Sequence, residues 1–230
     1  MKNKCLFALS LLLSAIALLS LYNQHNRQVA ASINNKTVIV IDVGHGGLDP
    51  GKVSADGIKE KDINLEIAGY LKDYLIAQDF TVYMTRDTDK GLHDENVSNK
   101  KTSDLNNRIR FFKEKNATYV VSIHQNSYPD AGPHGAQAFY FSGSKEGEAF
   151  AASIQRALTS MDETNTRTEK ASNSYYLLKK SEVPAVIVEC GFLSNPEETA
   201  RLTDPNYQKK IAFAISQGVS SYISTSHTQQ

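Results

Sequence analysis

The 230-residue sequence contains no tryptophan and only two cysteines. Cys5 lies in the extreme N-terminal segment, which leaves Cys190 alone in the rest of the chain and excludes an internal disulfide framework. No histidine pattern accompanies Cys190, and it stands in an apolar run, so it reads as buried and inert rather than nucleophilic. Charge of one sign is also missing. The 25 basic residues balance 25 acidic ones, so the basic excess of a nucleic-acid-binding protein is absent and nucleic acid is not the expected partner. The nucleophile elbow G-x-S-x-G, the phosphate loop G-x-x-x-x-G-K-[ST] and the metalloprotease pair H-E-x-x-H do not occur. There is no internal repeat and no linker to a second domain.

Length fits one domain plus a short extra segment. Lys2 and Lys4 precede an uncharged apolar stretch over residues 5–22. That order is a positive region followed by an apolar one, so residues 1–31 are expected to be a signal peptide or a membrane anchor with a short linker. Ala30 and Ala31 offer a cleavage point. The folded domain is expected over residues 32–230, exported or membrane-anchored, with the N-terminal segment as its only membrane contact.

Within that domain, runs rich in Val, Ile and aromatic residues mark strands at 37–43, 81–85, 119–123, 136–141 and 185–188, with a short one at 175–178. Apolar residues at helical spacing mark helices over about 61–78, 104–115 and 145–160, and a last one through Ile211, Ile215, Val219 and Tyr222. Asn195-Pro196-Glu197-Glu198 starts a further helix. Residues 87–103 and 162–173 read as loops, the first long enough to suspect function or mobility. Alternating strands and helices predict an α/β domain, a mostly parallel twisted sheet flanked by helices.

Three strand-like runs each end on a residue able to bind metal or carry a proton. His45 lies among Gly44, Gly46 and Gly47, His124 precedes Gln125 and Asn126, and Glu189 interrupts an apolar run before Cys190-Gly191-Phe192. In open α/β sheets ligands bind at the carboxyl edge of the strands. A carboxylate inside an apolar run is paired, metal-bound or shifted in pKa. The competing reading of Glu189 is a structural partner for Arg86 or Arg108. Glu60, at the start of a helix, reads by spacing alone as a partner of the helix dipole. His93 and His134 lie in loops and read as solvated.

Taken together, residues 39–47, 59–65, 84–89, 105–108, 121–127 and 184–195 resemble the zinc-dependent N-acetylmuramoyl-L-alanine amidases, in the family's order and over nearly the whole chain after the N-terminal segment. The resemblance implies that His45, Glu60 and His124 bind Zn2+ and that Glu189 is the catalytic acid–base residue. It overrides the helix-dipole reading of Glu60. Three protein ligands and a fourth position for water are the arrangement of a catalytic zinc site. The implied substrate is peptidoglycan, cut between N-acetylmuramic acid and L-alanine of the stem peptide. Gln125 stands where the family usually has a small residue, and Val43 where proline is common; neither departure removes a functional group.

Within the family the likeness is greatest to the germination-specific spore-cortex branch. It rests on the absence of cell-wall-binding repeats, the 87–103 insertion and Gly135-Ala136-Gln137-Ala138-Phe139-Tyr140. That branch implies a role in forming muramic-δ-lactam, a companion spore protein, and a place in the intermembrane space of the developing spore or in the cell wall. A vegetative cell-wall amidase, another zinc metallopeptidase and a non-catalytic peptidoglycan-binding protein are the alternatives.

Overall fold

The computed structural model describes residues 2–227, and within its first helix the side chains of residues 12–29 and Ser32 only. That helix, α1 (Lys2–Lys36), contains the expected targeting segment. Its described apolar side chains, Leu12, Leu13, Ile16 and Leu18 among them, are exposed. Lys2, Lys4, Ala30 and Ala31, which carry the targeting argument, lie outside the described side chains. Among the described residues no helix is long and apolar enough to cross a membrane.

Six strands form one sheet: β1 (Val38–Val43), β2 (Thr81–Met84), β3 (Tyr119–Asn126), β4 (Gln137–Phe141), β5 (Lys170–Ser172) and β6 (Ala185–Phe192). Their spatial order is β2-β1-β3-β6-β4-β5. The four strands β2, β1, β3 and β6 are mutually parallel. β4 runs antiparallel to β6, and β5 runs with β4. A parallel neighbour needs a crossover. The chain between β3 and β4 holds Pro129, Gly132, Pro133 and Gly135 and no helix. It therefore re-enters the sheet from the edge it left and must run backward.

Helices cover both faces. α2 (Glu60–Ile76), α4 (Lys145–Met161) and α7 (Pro205–His227) pack on one face, where Ile41, Val121 and Val188 meet Leu71, Ile154 and Ile215. α3 (Lys100–Glu114) and α5 (Tyr176–Lys180) cover the other, around Val40, Val120, Phe112, Leu177 and Ile187. β1, β3, β4 and β6 feed both cores because successive side chains point to opposite faces. α6 (Pro196–Leu202) follows β6, with the Asn195 side chain accepting from the backbone of Glu197 and Glu198 and Pro196 in the first turn, as its sequence predicts.

Four expectations need correction. Residues 175–178 are not a strand: Tyr175 is the N-cap of α5, a five-residue helix too short to show a 3.6-residue period. A strand, β5, lies instead inside the expected 162–173 loop; it is a three-residue edge piece with no apolar pattern to announce it. α3 begins earlier than expected, at Lys100, where the Asn99 side chain accepts from Thr102 N. β3 and β6 continue to Asn126 and Phe192, so His124 and Glu189 sit within strands and not after them.

The 87–103 segment is tied down. Asp89 accepts from Gly47 N at 2.8 Å and from Lys61 Nζ at 2.6 Å. Asp104 accepts from Leu92 N at 2.6 Å, and Asn107 donates to Leu92 O at 2.6 Å.

Candidate metal centre and cleft

β1 has β2 on one side and β3 on the other. The chain reverses its direction of winding there, and the carboxyl edge at such a switch point is the natural crevice of an open α/β sheet. His45 leaves β1 at this edge, His124 lies near the end of the adjacent β3, and Glu60 opens α2. β6 brings Glu189 into register with His124.

These side chains converge. His45 Nε2 is 3.1 Å and His124 Nδ1 2.9 Å from Glu60 Oε1. One donor atom from each of the three residues lies within 4.8 Å of the others. Around a four-coordinate zinc with bonds of about 2.0–2.2 Å, neighbouring donors stand about 3.3–3.5 Å apart. Two imidazoles and one carboxylate are the ligand types of catalytic zinc sites, and both imidazole nitrogens stand within a few tenths of an ångström of that spacing from Glu60 Oε1. The second ring nitrogen of His45, Nδ1, is 2.8 Å from Asp49 Oδ2. A carboxylate on the far nitrogen of a metal-binding histidine fixes its tautomer and ring orientation.

Glu60 is 2% exposed. Burial alone would raise its pKa, but the hydrogen bonds and charges of His124 and His45 hold it far below the usual carboxylate range. The backbone N–H groups of Gln125 at 3.0 Å and Lys52 at 2.8 Å also donate to its two oxygens. Burial would lower the His124 pKa, yet the neighbouring Glu60, Glu189 and Asp42 raise it. An anion held this firmly between two imidazoles suits a cation at their meeting point.

Two glycines make room for the centre. A Cβ on Gly44 would stand 2.4 Å from the His124 ring. One on Gly51, whose φ is +68°, would stand 2.5 Å from Glu60 Oε2. His45 itself adopts a left-handed φ of 61°, uncommon outside glycine. Two buried arginines hold it there. Arg86 Nε and Arg108 Nη2 each donate to His45 O at 2.8 Å. Arg86 Nη2 reaches Gly44 O at 3.0 Å, and Arg108 Nη1 reaches Val43 O at 2.7 Å. Arg108 is neutralised by Asp42 at 2.7 Å and Asp104 at 2.5 Å. Asp42 also accepts from Ser122 Oγ at 2.6 Å. Burial would raise the Asp42 pKa, but Arg108 and Ser122 outweigh it and lower the value.

Glu189 is 6% exposed. Burial raises its pKa, partly offset by the positive field of His124 and reinforced by Glu60. Its Oε1 accepts from Tyr175 OH at 3.0 Å, whereas Oε2 is buried and without a hydrogen-bond partner. Arg86 and Arg108, its competing structural partners in the sequence reading, are engaged elsewhere. Glu189 lines a cleft of about 550 Å³ together with His45, Glu60, His124, Asn126 and Tyr175. A second lobe of about 350 Å³ continues past His45 and His124 toward Leu48, His93 and Lys100. A desolvated carboxylate beside a metal-competent cluster, in an open cleft, is equipped for proton transfer to and from a bound substrate.

The structure thus brings together His45, Glu60, His124 and Glu189. It leaves out His134, which is exposed with Nδ1 on Gly132 O. It brings His93, expected to be solvated, to the half-buried wall of the second lobe. Cys190 is fully buried, its thiol pKa pushed up by burial. Sequence reading did not find Asp49, Tyr175 or the arginine pair. Asp49 left one signal, its spacing four residues from His45; the others meet their partners only through long-range folding.

Comparison with known proteins gives a consistent picture. The family model for N-acetylmuramoyl-L-alanine amidases matches residues 39–221. The chain is 38% identical over 188 residues to the germination-specific N-acetylmuramoyl-L-alanine amidase of Bacillus subtilis, covering 80% of this chain and 79% of that one. Among solved structures it resembles the CwlD amidase of Clostridioides difficile, determined in complex with the GerS lipoprotein. The TM-score there is 0.80 at 38% identity, over 83% of this chain and 100% of that one. An N-acetylmuramoyl-L-alanine amidase from Clostridium difficile 630 gives a TM-score of 0.73 at 31% identity, over 83% and 98% of the two chains.

Proposed function

The chain belongs to the N-acetylmuramoyl-L-alanine amidase family, an enzyme that hydrolyses peptidoglycan, and we propose that it does so in the spore cortex, as a zinc enzyme, on the way to muramic-δ-lactam. The observation that carries the cortex reading is the 38% identity to a germination-specific amidase over most of both chains.

His45, Glu60 and His124 would hold the zinc, a role supported by their converging donor atoms. When bound, zinc polarises a carbonyl oxygen and lowers the pKa of water toward about 7. Glu189 takes a proton from the attacking water as the new bond forms at the lactyl carbonyl carbon. It then gives that proton to the L-alanine nitrogen as the carbon–nitrogen bond breaks. Both transfers need a pKa nearer neutrality than that of an ordinary carboxylate, and the upward shift from burial supports the assignment. Asp49 orients His45, and the arginine pair keeps the His45 backbone in place.

The N-terminal segment would export or anchor the domain, in the intermembrane space of the developing spore or the cell wall. A companion protein is proposed because a structural neighbour was solved with a lipoprotein bound.

Mass spectrometry of products from peptidoglycan treated with the zinc-loaded protein tests the reaction. The expected products are a peptide with a free L-alanine amine and a peptide-free muramic acid. Cortex from a strain carrying Glu189→Ala should lack muramic-δ-lactam. Normal lactam in that strain, with no second amidase expressed, would remove the cortex role and leave the amidase activity standing.

A further inference from the structure

Glu189 has two oxygens, and they sit in different surroundings. Oε1 receives the Tyr175 hydroxyl at 3.0 Å. Oε2 is buried with no hydrogen-bond partner, an arrangement that is costly unless the atom is kept for a ligand. We propose that Tyr175 is a positioning residue that pins Oε1 and leaves Oε2 as the one atom that carries the proton. The inference rests on Glu189 being the acid–base group.

The placement of Tyr175 suits this task. Its ring lies edge-on to Phe139, with centroids 5.4 Å apart and an interplanar angle of 66°. It caps α5, and the next residue, Tyr176, donates to Asn106 Oδ1 of α3 at 2.6 Å. The phenol is therefore held on two sides before it meets Glu189. Burial, then the charge of Glu189, pushes the Tyr175 pKa up, so the hydroxyl remains a donor at any pH at which the enzyme works. A phenol has one proton, and here it is committed to Oε1. It is not free to protonate a leaving amine. The whole shuttle then falls to Oε2. A water O–H bond breaks and its proton passes to Oε2 while the carbon–oxygen bond forms. The same proton leaves Oε2 for the amide nitrogen while the carbon–nitrogen bond breaks. With Oε1 fixed, the carboxylate cannot rotate and offer the wrong oxygen. The benefit is orientation of the reacting group.

The test is Tyr175→Phe in the full chain, alone and combined with Glu189→Gln. Phenylalanine keeps the ring against Phe139 and deletes only the hydroxyl. Loss of a hydrogen bond to a charged group corresponds to about 10–100-fold, and the fall is expected in kcat. KM and zinc content should stay as in the parent. In the Glu189→Gln background the same change should have no further effect, because groups acting as one unit are non-additive. An undiminished kcat in Tyr175→Phe, beside an impaired Glu189→Gln, overturns this inference alone. Equal losses in both backgrounds also overturn it, since Tyr175 would then act without Glu189. Full turnover by Glu189→Gln overturns the role of Glu189 and this inference with it.

Discussion

On the face covered by α2, α4 and α7, the central strands present Ile39, Ile41 and Val43, Val121 and Ile123, Val186 and Val188. One residue out of phase, the same strands present Val40 and Asp42, Val120, Ser122 and His124, Ile187 and Glu189 toward α3 and α5. The first face is apolar until its carboxyl edge, where Gln125 of β3 donates to Asn64 of α2 at 3.1 Å. The second is apolar only in its lower half, where Val40, Val120 and Ile187 pack on Phe112 and Leu177. Above that line it turns polar and opens into the cleft. A side-chain period of two lets one strand serve both purposes. Along the central strands, close packing and the polar cleft are thus carried largely by alternate residues of the same backbone.

The sharpest test of that separation lies on the cleft side. Alanine at His45, Glu60 or His124 should lower bound zinc and turnover together. Glu189→Ala should keep its zinc and lose about 10²- to 10⁴-fold in kcat. Its melting temperature should hold or rise. The folded-state pKa of Glu189 is raised, so above that pKa the ionised group disfavours folding, and deleting it removes the cost. Metal analysis, product assay and thermal unfolding on the same preparations decide the matter. A melting temperature that drops as for a core truncation would break the comparison.

Asp42 marks the border between the two halves of the polar face and tests it from within. Asp42→Asn removes one of the two carboxylates that face the buried Arg108 guanidinium, Asp104 remaining at 2.5 Å, and should cost about 3 kcal/mol at pH 7, the low end for a broken buried pair. The sign with pH is opposite to that of Glu189. The folded pKa of Asp42 is lowered, so its stabilisation is complete above the unfolded value of about 3.9 and is lost as pH falls through the folded one. Denaturant titrations from neutral pH to below pH 4 should show a shallower acid decline for the variant, since it has already lost that contribution. Parallel curves would show that the pair is not the acid-sensitive element.

A truncation on the apolar face completes the series. Leu71 is fully buried on α2, three turns from Glu60. Leu71→Ala should cost about 2–5 kcal/mol of stability. Turnover per folded molecule and zinc content should not change. A selective loss of zinc at full folding would mean that the two faces are coupled through α2.

How far this arrangement is legible in the sequence depends on whether the signal is local. β1, β3 and β6 announce themselves because buried parallel strands are continuous runs of Val and Ile. His45, His124 and Glu189 stand out because each ends or interrupts such a run. β5 and α5 are too short to carry a period, and Tyr175 between them reads as β-propensity when it is a helix cap. Arg86 and Arg108 are visible as charges, but nothing local says that both turn onto the backbone of His45 while Tyr175 takes the Glu189 carboxylate. The 87–103 segment looks free for a related reason. Two of its anchors, Gly47 and Lys61, lie far upstream, and the other two, Asp104 and Asn107, reach back from α3.

The strand order also sets a schedule. In chain order β1, β2 and β3, with His45, Glu60, His124 and both arginines, all come before the first residue of β6. Until then β3 is an open edge, paired with β1 alone. β6 arrives late and inserts between β3 and β4. The same docking event seals that edge and delivers Glu189 beside His124. Closure of the sheet is thus also the step that brings the proposed acid–base carboxylate to the candidate metal centre.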